Sequence, residues 1–182
     1  MRGAAGNGAV PTPADTQPDV SHVQGTSPLV QAMRRCEGLT ETGGDNRGEP
    51  IWETWTRALG YTSPQPWCGI AVATKTDEAG VTYPTVRSGK AIHYKTKESL
   101  PASWFKRQRE CPPTGWLAVH PHHVGVVTGC QWRRGRGWTV TTISGNTSNP
   151  TGGPRDGIFE KTRSMAAGSN FKPSWFTPVR YG

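Results

Sequence analysis

From about residue 28 to about residue 80, apolar residues recur at helical spacing, and from about residue 113 they alternate with polar and β-branched ones. Ser27-Pro28 reads as a cap followed by proline at the first helical position. It opens a helix that carries Leu29, Val30 and Met33 and stops near Gly38. A second helix is expected from about Pro50 to Leu59, with Ile51, Trp52, Trp55 and Leu59 on one stripe and Gly60 at its end. A third starts near Trp67, runs to Ala79 and is closed by Gly80. Strands are expected at 115–120, 123–130, 138–145 and 156–163, with a last one within 171–181. Helices followed by an antiparallel meander predict an α+β fold, N-terminal helices packed on a C-terminal antiparallel sheet. Residues 1–27 are rich in Gly, Ala, Pro and Thr and show no hydrophobic period. They read as a flexible or partner-bound arm ahead of a domain spanning 28–182.

Composition narrows the class. A chain of 182 residues fits one domain plus an appendage, and 23 glycines with 16 prolines point to a loop-rich fold. No apolar run approaches the ~18 residues of a membrane span. The N-terminal stretch lacks the charged-then-apolar order of a signal peptide, so delivery by other proteins is expected. The net charge of +8 favours polyanionic partners, among them nucleic acid and anionic cell-wall polymers. Arg133, Arg134 and Arg136 cluster between Trp132 and Trp138 and read as a solvated hairpin tip, and no nucleic-acid module is recognisable around them. Nucleic acid is therefore not the expected partner.

The four cysteines, Cys36, Cys68, Cys111 and Cys130, show neither C-x-x-C pairing nor a dense disulfide spacing, so each is weighed as a free thiol. Cys68 stands apart. In "PQPWCGIAVAT" it sits between a proline-rich turn and the third helix, where helix N–H groups and the dipole favour a thiolate. A buried cysteine packed as a small hydrophobe is the alternative. A nucleophile needs a base and a group that orients the base. His22 lies in the arm and His93 in a short helical segment, which leaves His120, His122 and His123 of "AVHPHHVGVVTG". Their spacing matches no common zinc pattern, and neighbouring His122 and His123 point to opposite sides of a strand. In "VTTISGNTSN", Asn146 ends a strand expected beside the histidine strand. Its amide can accept an imidazole N–H, as in a Cys-His-Asn arrangement, or it can simply belong to a turn.

The segment "ETGGDNRGEPIWETWTRALGYTSPQPWCGIAVA", followed by "HVGVVTG" and "TTISGNTSNPTGG", resembles the CHAP family of cysteine, histidine-dependent amidohydrolases/peptidases. The resemblance runs from about residue 28 to the end. It implies a papain-like cysteine hydrolase fold, with Cys68 as nucleophile, His123 as general base and acid, and Asn146 as orienting residue. Trp67 is then expected to wall the cleft, and Asn46 and Arg47 either line it, with Arg47 facing a peptide carboxylate, or belong to a turn that caps the second helix. No metal or organic cofactor is expected. Bacterial peptidoglycan is the implied substrate, cut as an N-acetylmuramoyl-L-alanine amidase or an endopeptidase would cut it. The implied setting is a bacteriophage endolysin or virion-associated lysin, held in the host cytoplasm or the virion before it meets the wall. The arm would dock on virion (tail) proteins. Two departures stand out: Ser144 where many relatives have an acid, and Gly115-Trp116 where many have Gly-Asp. A non-enzymatic virion or wall-binding component that retains the fold is the alternative.

Overall fold

The computed structural model describes residues 27–133, 137–153, 155–165 and 173–182. Among them the chain is a mixed α/β fold in which a few helices cover a six-stranded antiparallel sheet. The helices are α1 (Pro28–Arg34), α2 (Cys68–Glu78) and α3 (Ala102–Gln108). The strands are β1 (Val81–Tyr83), β2 (Leu100–Pro101), β3 (Leu117–His120), β4 (His123–Arg133), β5 (Gly137–Ser148), β6 (Asp156–Ser164), β7 (Trp175–Thr177) and β8 (Arg180–Tyr181). The large sheet has the order β2-β7-β3-β4-β5-β6, and β1 pairs with β8 in a separate ribbon. Among the described residues, no helix is long and apolar enough to cross a membrane. The arm up to residue 26 and Arg134 and Arg136 of the basic cluster lie outside the described residues.

Period-two alternation divides the core between the two faces of the sheet. Leu117, Val119, Val124, Val126, Ile143 and Ile158 pack with Leu29 and Met33 of α1 and with Ile70 of α2. On the other face Ala118, Val127, Val140 and Phe176 meet Phe105 of α3 and Trp138. Phe105 is the hub of this second cluster, with ring centroids 5.2 Å from Phe176 and 6.1 Å from both Trp116 and Trp138.

Several expectations are corrected. Ser27 stands at the head of α1, yet its hydroxyl makes no cap bond and lies 2.6 Å from the hydroxyl of Tyr181. The expected second helix is a π-helical turn over Ile51–Thr56. There the Pro50 carbonyl accepts from the backbone N–H groups of both Thr54 and Trp55, at 3.2 and 2.9 Å. The wider turn carries the Trp55 ring to 6.4 Å from that of Trp67. His93 does lie in a short helical segment, a 3-10 turn over Ala91–Tyr94, but it is exposed.

Cys111 and Cys130, expected to be free packing residues, are joined in a disulfide. It ties the segment ahead of β3 to the middle of β4, beside the Phe105 cluster. The two cysteines have a sequence separation of 19, a loop for which cross-linking stabilises by about 3 kcal/mol. A Cys111→Ser/Cys130→Ser variant should therefore lose about 2–4 kcal/mol in denaturant unfolding. A loss below about 0.5 kcal/mol would show that the bond contributes little.

Candidate active site

Pro64 and Pro66 precede α2 and set an extended approach, so that the helix begins at Cys68 with Trp67 in the capping position. The first turn of α2 is clamped on two sides. A Cβ at Gly145 of β5 would stand 2.6 Å from the Trp67 ring and 2.8 Å from Ala71. A Cβ at Gly69 would stand 2.4 Å from the Gly89 carbonyl. Tyr94 reinforces the second contact, because its hydroxyl reaches the carbonyls of Gly69 at 2.8 Å and Ser88 at 3.0 Å.

Cys68 is 3% exposed, and it lines an open cleft of about 490 Å3. Tyr61, Pro66, Lys90, Ile92, Pro121 and His122 are among the other residues around that cleft. The thiol is pushed up from its ordinary value by burial, against the pull of backbone N–H groups of Val124, Gly69 and Cys68 itself. The expectation that the helix start yields a thiolate is thus reversed at rest, because loss of water outweighs the local dipoles.

The Val124 contact brings the head of β4 to the sulfur, and His123 is the residue before it. Its Nε2 lies 2.9 Å from the hydroxyl of Ser144 on β5. Gly125 makes that approach possible: a Cβ there would fall 2.9 Å from the Ser144 Cβ. Burial, then the charges of Arg163, His120 and Lys161, hold the imidazole down to about 4. Near neutral pH both groups are uncharged, so neither carries the charge of a resting thiolate–imidazolium pair.

Asn146 is placed differently from the expectation. It sits in the left-handed region (φ 51°), where the β5–β6 register shifts between Ser144 and Thr147. Its amide donates to Glu41 at 3.3 Å and to Asn46 at 3.2 Å, while the bond to the His123 Nε2 comes from Ser144. Trp67 does not wall the cleft; it is fully buried, and its indole N–H donates to Glu41 at 2.8 Å. Asn46 is half-buried in this network, and Arg47 is exposed outside the cleft lining. His120 accepts the backbone N–H of His122 in the β3–β4 turn, at 3.3 Å. Among the described residues, no three His, Cys, Asp or Glu side chains gather as metal ligands.

Glu41 was not singled out by sequence reasoning. It is 5% exposed and joins the α2 approach (Trp67) to the β5 bulge (Asn146). The available signal was its place at the head of "ETGGDNRGE", ahead of the predicted helix.

No family model matches this chain, and neither does any curated protein or solved structure.

Two outcomes are expected. Glu41→Ala leaves a buried indole N–H and an amide without their acceptor and should cost about 2–3 kcal/mol, whereas Glu41→Gln keeps an acceptor and should cost less. Equal losses would show that only volume matters there. The second concerns His123, whose folded value of about 4 lies below the ordinary 6.5. Between these values the unfolded chain binds a proton that the folded chain does not. Stability is therefore present above pH 6.5 and lost as pH falls toward 4. The difference in Tm between the native chain and His123→Gln, followed from pH 7.5 to 4, should shrink or change sign across that window. A constant difference would refute the assignment.

Proposed function

We propose that this chain is a peptidoglycan hydrolase with a papain-like, CHAP-type architecture, cleaving an amide bond with Cys68 as nucleophile. One observation carries the reading. The Cys68 thiol lies at the first residue of a helix, opens on a cleft, and meets the strand that presents His123. The ordered blocks around Cys68, His123 and Asn146 support it.

In this mechanism Nε2–H of His123 donates to Ser144, which leaves Nδ1 as the base. The base takes the Cys68 proton as sulfur bonds to the carbonyl carbon. The backbone N–H of Cys68 at the helix start serves as one oxyanion donor. The tetrahedral species collapses, the C–N bond breaks, and the imidazolium gives its proton to the leaving amine. Water, deprotonated by the same imidazole, then releases the acyl group and restores the thiol. Because thiol and imidazole rest neutral, proton transfer accompanies attack instead of preceding it. Ser144 takes the orienting role, and Asn146 acts through Glu41 and Asn46 as a positioning residue.

The +8 charge suits an anionic wall. The Cys111–Cys130 disulfide suits work outside a reducing cytoplasm, as for a lysin released from a host or carried on a virion. The burial of Cys68 favours the second reading, a wall-binding or virion component that keeps the fold without turnover.

Cys68→Ala should abolish release of fragments from purified peptidoglycan, and His123→Ala should lower it at least a hundredfold. Ser144→Ala should cost about tenfold, roughly 1.4 kcal/mol of barrier, and Asn146→Ala less. Iodoacetamide labelling of Cys68 should climb steadily from pH 6 to 9, since the thiol is pushed up. A plateau already reached at pH 6 would indicate a preformed ion pair. Mass spectrometry of the fragments identifies the bond. Wall binding with no fragments from the native chain would establish the non-enzymatic reading.

A further inference from the structure

The cleft over Cys68 has two chemical halves. Pro66, Ala91, Ile92 and Pro121 present carbon to it, and Ile92 is 38% exposed, an apolar side chain left open at the rim. Among the described residues, Lys90 is the one lysine or arginine that lines the cleft, and no carboxylate lines it. Among the described residues Lys90 takes part in no ion pair, whereas five such pairs form elsewhere among them.

The rim that carries Lys90 and Ile92 is held in place before any ligand arrives. The Lys90 backbone N–H donates to the Ser88 hydroxyl at 3.1 Å, and that hydroxyl also lies 2.9 Å from Nδ1 of His93. The Gly89 N–H donates to the Tyr61 hydroxyl at 3.0 Å. The Ser88 carbonyl is held by Tyr94, and the Lys90 carbonyl accepts from the His93 N–H at 3.1 Å. A rim fixed by its backbone spends little ordering entropy on binding.

We infer that Lys90 and Ile92 form the specificity subsite of this cleft, taking an acyl donor that pairs a small apolar side chain with a carboxylate. The inference rests on the hydrolase reading for its acyl donor, and it adds which peptides are preferred. The side chain packs on Ala91 and Ile92, and the carboxylate meets the Lys90 ammonium. With Lys90 exposed, the preference is modest, about two- to fivefold, and weakens with salt.

Two measurements test this. In the first, Cys68→Ala protein is titrated with acetyl-Ala-Glu and with its uncharged near-isostere acetyl-Ala-Gln, followed by NMR at low ionic strength. The acidic dipeptide should bind two- to fivefold tighter. Lys90→Gln should erase the difference, and Lys97→Gln, the same charge change on another exposed lysine, should keep it. Equal binding of the two dipeptides, binding of neither, or a preference that survives Lys90→Gln would overturn the subsite. In the second, Cys68 of the native chain is alkylated with iodoacetate and with iodoacetamide. The ratio of the two rates should fall two- to fivefold in Lys90→Gln, and an unchanged ratio would also overturn it. If neither reagent labels Cys68, the nucleophile reading fails, while the dipeptide preference still decides the role of Lys90.

Discussion

The packing of α2 directly on the backbone of Gly145 is the contact on which the rest of the site depends. With no side chain between them, the Trp67 ring and the Ala71 methyl lie where any other residue on β5 would place its Cβ. That closeness lets the sulfur of Cys68 reach the head of β4. Gly69 gives the same closeness toward the Gly89 carbonyl, so the first turn of α2 is held between the sheet and the cleft rim. Close packing of this kind tolerates almost no change of volume, and it fixes one position for the thiol.

Around that clamp the polar groups are arranged in two layers. At the head of β4 His123 meets Ser144 of β5, and burial keeps its imidazole neutral near pH 7. Behind them Glu41 gathers the Trp67 indole and the Asn146 amide, and Asn46 completes the set. A buried carboxylate is tolerable when its acceptor capacity is used. Here its partners come from the approach to α2 and from the β5 bulge, so the same bonds that satisfy Glu41 join the two elements. In the proposed mechanism this layer fixes geometry, and the neutral thiol–imidazole pair moves the proton.

The far face of the sheet is stabilised separately. Phe105 and its aromatic neighbours bury α3 against β3, β4 and β7, and the Cys111–Cys130 bond holds the chain ahead of β3 to β4. This second core lies on the opposite side of the strands from the cleft, and through β4 and β5 it supports the strands that carry His123 and Ser144.

Local signals determined much of this. Alternation marked β3 to β6 within a few residues, and Pro66 before an apolar run marked the start of α2, because both depend on neighbours along the chain. The π-helical turn was not legible, since an extra residue per turn leaves almost the same apolar stripe as an α-helix. The disulfide was not legible either: a separation of nineteen residues carries no geometric information until β3 and β4 have paired. The largest difference lies at Ser144 and Asn146, two residues apart on one strand. Strand period alone lets either face the histidine. The register shift after Ser144 and the left-handed backbone at Asn146 turn the Asn146 amide toward Glu41 and leave the bond at the His123 Nε2 to the serine. The sequence by itself marked Cys68, His123 and Asn146 as candidates, and it singled out neither Glu41 nor, as the partner of His123, Ser144. Which of them meet, and whether the thiol rests charged, was decided by tertiary packing, because contact and dielectric depend on segments far apart in the chain.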